Sequence, residues 1–199
     1  MKLYYSATSP YARKVRVVAL EKGLDERLEL VLANPWPDPT AIVGFNPLGK
    51  VPVLVTDDGL PLYDSPVISE YLDDIGTGAA LIPASGSARW RVLRTQALAD
   101  GVLDAAVVIV LDGRRPAAER SVTATERAAE AIRRAVAALA AERPQAAAAF
   151  DLGAIATAVA LGYLDFRLPE LGVGASHRAL HEWWHAVRER PSLAATRPP

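Results

Sequence analysis

Asn46-Pro47-Leu48-Gly49-Lys50-Val51-Pro52-Val53-Leu54, followed by Asp64-Ser65-Pro66-Val67-Ile68-Ser69-Glu70-Tyr71-Leu72, is the stretch whose reading decides the fold. Val53–Thr56 and Leu60–Tyr63 are short apolar runs on either side of Asp57-Asp58-Gly59, a hairpin signal. Pro61 has no N–H to give to a ladder, which places its strand at a sheet edge. Ser65-Pro66 has the form of an N-cap and a first helical residue, and it opens a helix to about Ile75. The same device stands upstream. Ser9-Pro10 follows the strand candidate Lys2–Tyr5 and opens a helix through about Lys22, where Gly23 stops it. Arg27–Leu32 alternates polar and apolar residues as a strand does. The order is β-α-β, a short linker helix, then β-β-α. It predicts a mixed sheet of order 2-1-3-4, with strands 1 and 2 parallel across a right-handed helical crossover.

Composition changes near residue 76. Residues 1–76 hold all four lysines and five of the 37 alanines, with seven basic against eleven acidic residues, or −4. Residues 77–199 hold 32 alanines, no lysine, and 15 arginines against 12 acids, or +3. Gly76-Thr77-Gly78-Ala79-Ala80-Leu81-Ile82-Pro83-Ala84-Ser85-Gly86 is rich in turn formers and reads as a linker over 77–86. Beyond it the chain reads as all helix. Arg89–Leu111 is one long segment. Thr123-Ala124-Thr125-Glu126 has the form of a capping box, with Ala129, Ile132, Val136 and Leu139 as the stripe behind it. Asp151 can cap Leu152–Leu164, and Ser176–Arg190 gives a last helix ended by Pro191.

The whole chain of 199 residues is 51% apolar with net charge −1. Such a balance offers no field for nucleic acid or an acidic membrane. There is no cysteine, which removes disulfides, thiolate metal sites and a cysteine nucleophile. Met1-Lys2 leads straight into a short alternating run, without the form of a signal peptide. The predominantly apolar stretch Leu152–Leu164, thirteen residues long, is too short to span a bilayer. A cytoplasmic protein is expected.

Three features would share one edge of the small sheet: Ser9-Pro10, Val51-Pro52 and Asp64-Ser65-Pro66. Each has a plain structural alternative, since Ser9 and Ser65 can be simple caps and Pro52 can simply start a strand. Together they make a different pattern. Helix N-termini attract anions through free N–H groups and the dipole. A cis Val51-Pro52 bond would turn the Val51 N–H and C=O outward to pair with an extended peptide. Such a site suits a small anionic peptide.

These residues resemble the cytosolic glutathione S-transferase superfamily, and most of all bacterial members with Ser-Pro at the first helix. Leu81-Ile82-Pro83, Ala97-Leu98-Ala99-Asp100-Gly101, Gly162-Tyr163-Leu164-Asp165-Phe166-Arg167 and Arg190-Pro191-Ser192 extend the likeness over essentially the whole chain. The resemblance implies an α/β thioredoxin-like N-terminal domain (1–76) and an all-α C-terminal helical domain (87–199). It implies glutathione as co-substrate, no metal, a homodimer, and transfer of glutathione to a small hydrophobic electrophile. Carried over, Ser9 is the catalytic donor to the glutathione sulfur. Val51, ahead of a cis Pro52, pairs with the cysteinyl part. Asp64 and Ser65 hold the γ-glutamyl end, and Lys50 faces the glycyl carboxylate. Tyr11, Trp36, Trp90, Arg94, Asp104 and Phe166 are candidates for the second-substrate pocket, with packing or a solvated face as the alternative for each. In one respect the chain departs from the family. Its core helix is capped by Asp151 with Ala154 three residues on, so the reciprocal half of the box is missing, although Phe150 and Ile155 could form a hydrophobic staple.

Two other function classes compete. His181-Glu182-Trp183-Trp184-His185 spells H-E-x-x-H, the pattern of a zinc hydrolase. Only Glu189 follows as a carboxylate, at a spacing that does not close a tetrahedral shell. A glutathione S-transferase-like binding module with little activity would keep the same first domain, because fold does not set the second substrate.

Overall fold

The computed structural model describes residues 1–36, 38–142 and 150–199. Contacts divide the chain into two units, Met1–Pro83 with Pro191–Pro199, and Ala84–Arg190.

The first unit is built on β1 (Lys2–Tyr5), β2 (Glu29–Leu32), β3 (Val53–Val55) and β4 (Pro61–Leu62), in the order β2-β1-β3-β4. β1 and β2 run parallel, while β1–β3 and β3–β4 are antiparallel. This is the expected order, with Pro61 on an edge strand. α1 (Pro10–Glu21) makes the crossover, α2 (Thr40–Val43) precedes β3, and α3 (Ser65–Ile75) follows β4. Cross-strand partners point to the same face. Leu3 and Leu54 are paired and fully buried on the α1–α3 side, with Val15, Val18, Ile68 and Leu72. Tyr4 and Val53 are paired on the other side, in a smaller cluster with Ala33, Ile42, Phe45 and Val51.

Two helix starts differ from the sequence reading. α3 begins one residue early: its N-cap is Asp64, and Ser65 is already helical. In the second unit, α5 (Val122–Glu142) is capped by Ser121, whose hydroxyl accepts the Ala124 N–H at 3.3 Å, and not by Thr123. Buried Asp112, at the end of α4 (Gly86–Asp112), accepts the Ser121 N–H at 3.2 Å and fixes where α5 starts. That pairing joins residues nine apart and has no local sequence signal.

α6 (Leu152–Arg167) is the core of the second unit, buried from Leu152 to Leu164 and packed on α4. Gly153 permits the close approach, because a Cβ there would lie 3.0 Å from the Thr95 Cβ on α4. Asp151 caps α6 by accepting the Ala154 N–H at 2.9 Å. The helix expected over Ser176–Arg190 is α8 (Arg178–Val187), shorter at both ends, and Ser176 instead closes a separate short helix, α7 (Val173–Ser176).

The segment after Pro191 departs from the 87–199 assignment. α9 (Pro191–Ala194) packs on α1 in the first unit. Arg13 Nη2 donates to the Leu193 carbonyl at 3.2 Å, the Ser192 hydroxyl donates to Glu21, and Leu193 is fully buried. Burial, with Arg197 and Arg16 nearby, lowers the Arg13 pKa to about 10.

Candidate functional site

The sheet register brings the first-unit candidates to one end. Tyr4 pairs with Val53, so the C-terminal end of β1 lies beside the N-terminal end of β3. Leu62 pairs with Leu54, so β4 also leaves at that end. The segments Ser6–Ser9, Lys50–Pro52 and Tyr63–Ser65 therefore emerge side by side from three neighbouring strands.

Ser9 is the N-cap of α1, with φ −75° and ψ 119°. Its Oγ accepts the Ala12 N–H at 3.2 Å. That uses a lone pair and leaves the hydroxyl hydrogen to donate outward. α1 has no acid before Glu21 to oppose its dipole, so this helix N-terminus favours an anion.

The Val51–Pro52 bond is cis, and so is Tyr63–Asp64. Pro52 is buried, Val51 is half-buried against the Ile42–Val53 cluster, and Lys50 is exposed. Asn46 ties this loop together and was not singled out from the sequence. Its buried side chain donates from Nδ2 to the Lys50 carbonyl and accepts the Leu48 N–H at Oδ1, both at 3.0 Å. Its backbone carbonyl accepts the Gly49 N–H at 2.9 Å. The Asn-Pro-Leu-Gly spacing, a turn sequence headed by an Asx residue, is the signal that could have found it. Ser65 is buried at the first turn of α3. Asp64 is exposed, and its carboxylate makes no capping hydrogen bond, which leaves it open to a cationic group.

The second-substrate candidates divide between the units. Tyr11 and Trp36 belong to the first, where Trp36 is largely exposed. Trp90, Arg94, Asp104 and Phe166 belong to the second. There Trp90 is exposed, Arg94 pairs with Glu142 at 2.6 Å, and the Arg167 guanidinium lies 4.1 Å from the centre of the Phe166 ring. In the H-E-x-x-H segment Glu182 pairs with Arg178 at 2.7 Å, away from a general-base role. Among the described residues no three His, Asp or Glu side chains are grouped to hold a metal ion, and no helix is long and apolar enough to cross a membrane.

Known proteins resemble this chain. The family model of the glutathione S-transferase N-terminal domain matches residues 8–75. An uncharacterized GST-like protein of Escherichia coli, YibF, is 38% identical over 202 residues, covering 100% of this chain and 99% of its own. A glutathione transferase family member from Pseudomonas fluorescens, solved with bound glutathione, has 42% identity and a TM-score of 0.94, covering 100% of this chain and 98% of its own. A glutathione S-transferase of Methylobacillus flagellatus with glutathione bound has 41% identity and a TM-score of 0.92 over 100% of this chain and 99% of its own. With a thioredoxin-like sheet and a helical second unit in place, the chain belongs to the glutathione S-transferase superfamily.

Proposed function

We propose that this protein is a cytoplasmic, homodimeric glutathione transferase that presents the glutathione thiolate to a small hydrophobic electrophile. The observation that carries the proposal is the convergence, at one sheet end, of the Ser9-capped helix N-terminus, the cis Val51–Pro52 loop and Asp64-Ser65. The proposed ligand fits these groups one by one. The Val51 backbone pairs with the cysteinyl unit, Asp64 takes the α-ammonium, Ser65 and its N–H take the γ-glutamyl carboxylate, and Lys50 takes the glycyl carboxylate. Solved relatives that hold glutathione support this reading.

Ser9 stabilises the thiolate and does not act as a base, because a serine hydroxyl cannot deprotonate a thiol at neutral pH. A thiol of pKa ~8.5 is a few per cent ionised at pH 7. Lowering it by ~2 units needs ~2.7 kcal/mol. One charge-assisted hydrogen bond supplies ~1.5–3 kcal/mol and a helix dipole ~0.3–1. The two contributions together are of the required size. The residues proposed for the second substrate are Tyr11 and Trp36 in the first unit and Trp90, Arg94, Asp104 and Phe166 in the second, each to be tested by single substitution.

The test is calorimetric titration with glutathione, followed by conjugation assays on a panel of activated aryl halides, epoxides and enones. Saturable binding with turnover on at least one electrophile is expected. Binding without turnover on any of them would favour the binding-module reading, and absence of glutathione binding would overturn both.

A further inference from the structure

The histidines of the H-E-x-x-H segment do something that the thiol chemistry does not use. His181 and His185 lie one turn apart on α8. Their Nε2 atoms are hydrogen-bonded to each other at 3.1 Å, and the rings meet edge to face with centroids 4.2 Å apart, so a metal ion taking both lone pairs would replace the shared proton, which moves to the outer nitrogen or to solvent. His185 is exposed and His181 half-buried, so the pair opens to solvent. Glu182 and Arg178 neutralise each other at 2.7 Å on the same helix.

We propose that His181 and His185 form a two-imidazole clamp for a divalent transition-metal ion, with copper(II) the preferred occupant. Imidazole nitrogens bind such ions at ~2.0–2.1 Å. Two of them 3.1 Å apart then subtend an N–metal–N angle of about 98°. Two imidazoles at a bent angle of this kind suit copper(II), nickel(II) or zinc, and the general affinity order of nitrogen sites puts copper(II) first. Swinging both lone pairs onto one point opens the ring centroids by about half an ångström, a small χ2 adjustment for side chains at a solvent-facing edge. Among the described residues no third His, Asp or Glu completes a metal shell, so water fills the remaining positions. This also favours an ion that accepts mixed nitrogen and water ligands. The affinity order should be copper, then nickel, then zinc. The chain has no cysteine and three histidines, so it offers no thiolate to compete for the ion. The site is distinct from the proposed glutathione site, and no step of the thiol chemistry passes through it.

The experiment is titration of the full chain, free of glutathione and chelators, with copper(II), followed by calorimetry and electron paramagnetic resonance. One saturable ion per chain with nitrogen hyperfine structure from two imidazoles is expected. His185→Ala, at an exposed position, and His181→Ala should each weaken copper by roughly a hundredfold, the low end of what linking two ligands on one scaffold contributes. His177→Ala should leave it within about threefold. Circular dichroism of each variant shows whether its fold survives. Should His181→Ala unfold, the exposed His185→Ala and His185→Gln variants decide alone. Copper bound equally well by His185→Ala, no saturable uptake by the parent chain, or zinc held more tightly than copper would each overturn the clamp. Copper binding has no bearing on whether glutathione binds, so either proposal can fail without the other.

Discussion

Ser9 and Asn46 act on different quantities if the proposed function holds, and single substitutions separate them. Ser9→Ala removes one hydrogen bond to the sulfur while Val51, Asp64 and Ser65 still hold the tripeptide. Turnover in a thiolate-limited conjugation should fall roughly ten- to a hundredfold, equivalent to ~1.5–3 kcal/mol. The dissociation constant for glutathione should change by less than about threefold. Higher pH should rescue the variant, since bulk hydroxide then supplies the thiolate. The thermal midpoint belongs beside the kinetics, because the same Oγ caps α1 and its loss costs ~1 kcal/mol. A folded Ser9→Ala enzyme with parental turnover at neutral pH would move thiol activation to another residue, with Tyr5 or Tyr11 next to test. Asn46→Ala should behave in the opposite way. It strands the Lys50 carbonyl and the Leu48 N–H, at ~1–3 kcal/mol of stability, and loosens the loop that presents Val51. Glutathione binding should weaken several-fold, with a smaller effect on turnover at saturation. Equal losses in both constants would show that Asn46 does more than hold the loop.

At the scale of elements, the linker is held by a pair that sequence patterns do not show. Lys22, just past the end of α1, and Asp73 on α3 form an ion pair at 3.0 Å, with both side chains almost wholly buried. Asp73 also accepts the Leu81 and Ile82 N–H groups at 2.8 and 2.9 Å, and Lys22 donates to the Ala79 carbonyl at 3.1 Å. Gly76 makes room, because a Cβ there would fall 2.5 Å from the Lys22 Cβ. Asp73→Asn leaves a buried ammonium without its countercharge and should cost about 3–5 kcal/mol in urea unfolding. A loss under ~1 kcal/mol would mean that the pair is dispensable. Asp151 offers a test by pH. Burial raises its pKa against the opposing hydrogen bonds from Ala154 and Gly153, so folding favours its protonated form. Its contribution is most favourable below the unfolded value near 3.8 and declines as pH rises through the raised folded value. Asp151→Asn keeps a capping oxygen and removes the decline, so the variant should gain on the parent in thermal midpoint as pH rises from below the ordinary carboxylate value of 3.8 toward neutrality. A constant difference across that range would refute this. Legibility followed the range of the interaction. The Ser9 cap, the β3–β4 hairpin with Pro61 on its outer strand and the Asp151 cap rest on residues close in sequence, and the sequence carries them. Lys22–Asp73, Asp112–Ser121 and the docking of α9 join residues that only folding brings together, and charge or apolar character alone does not say with whom they pair.

The molecule as a whole is proposed to be a dimer, and light scattering should give twice the chain mass over a wide concentration range. A constant monomer mass would remove that proposal. A second test concerns the return of the chain to its first unit. Leu193 and Thr196 are buried there, and the Thr196 hydroxyl donates to the Ser192 carbonyl at 2.8 Å. Ending the chain after Arg190 uncovers the α1 surface and should lower stability by at least ~2–3 kcal/mol, the burial of one leucine side chain. An unchanged urea midpoint would show that the tail is ornamental. The same return has a consequence for synthesis. Domains made on the ribosome generally fold in order as they emerge. Here the half that emerges first lacks α9 until residues 191–194 have followed the second unit out. The nascent N-terminal half must wait with the Leu193 site on α1 open, so a stretch translated after the whole second unit is the one that shields the first from unwanted association.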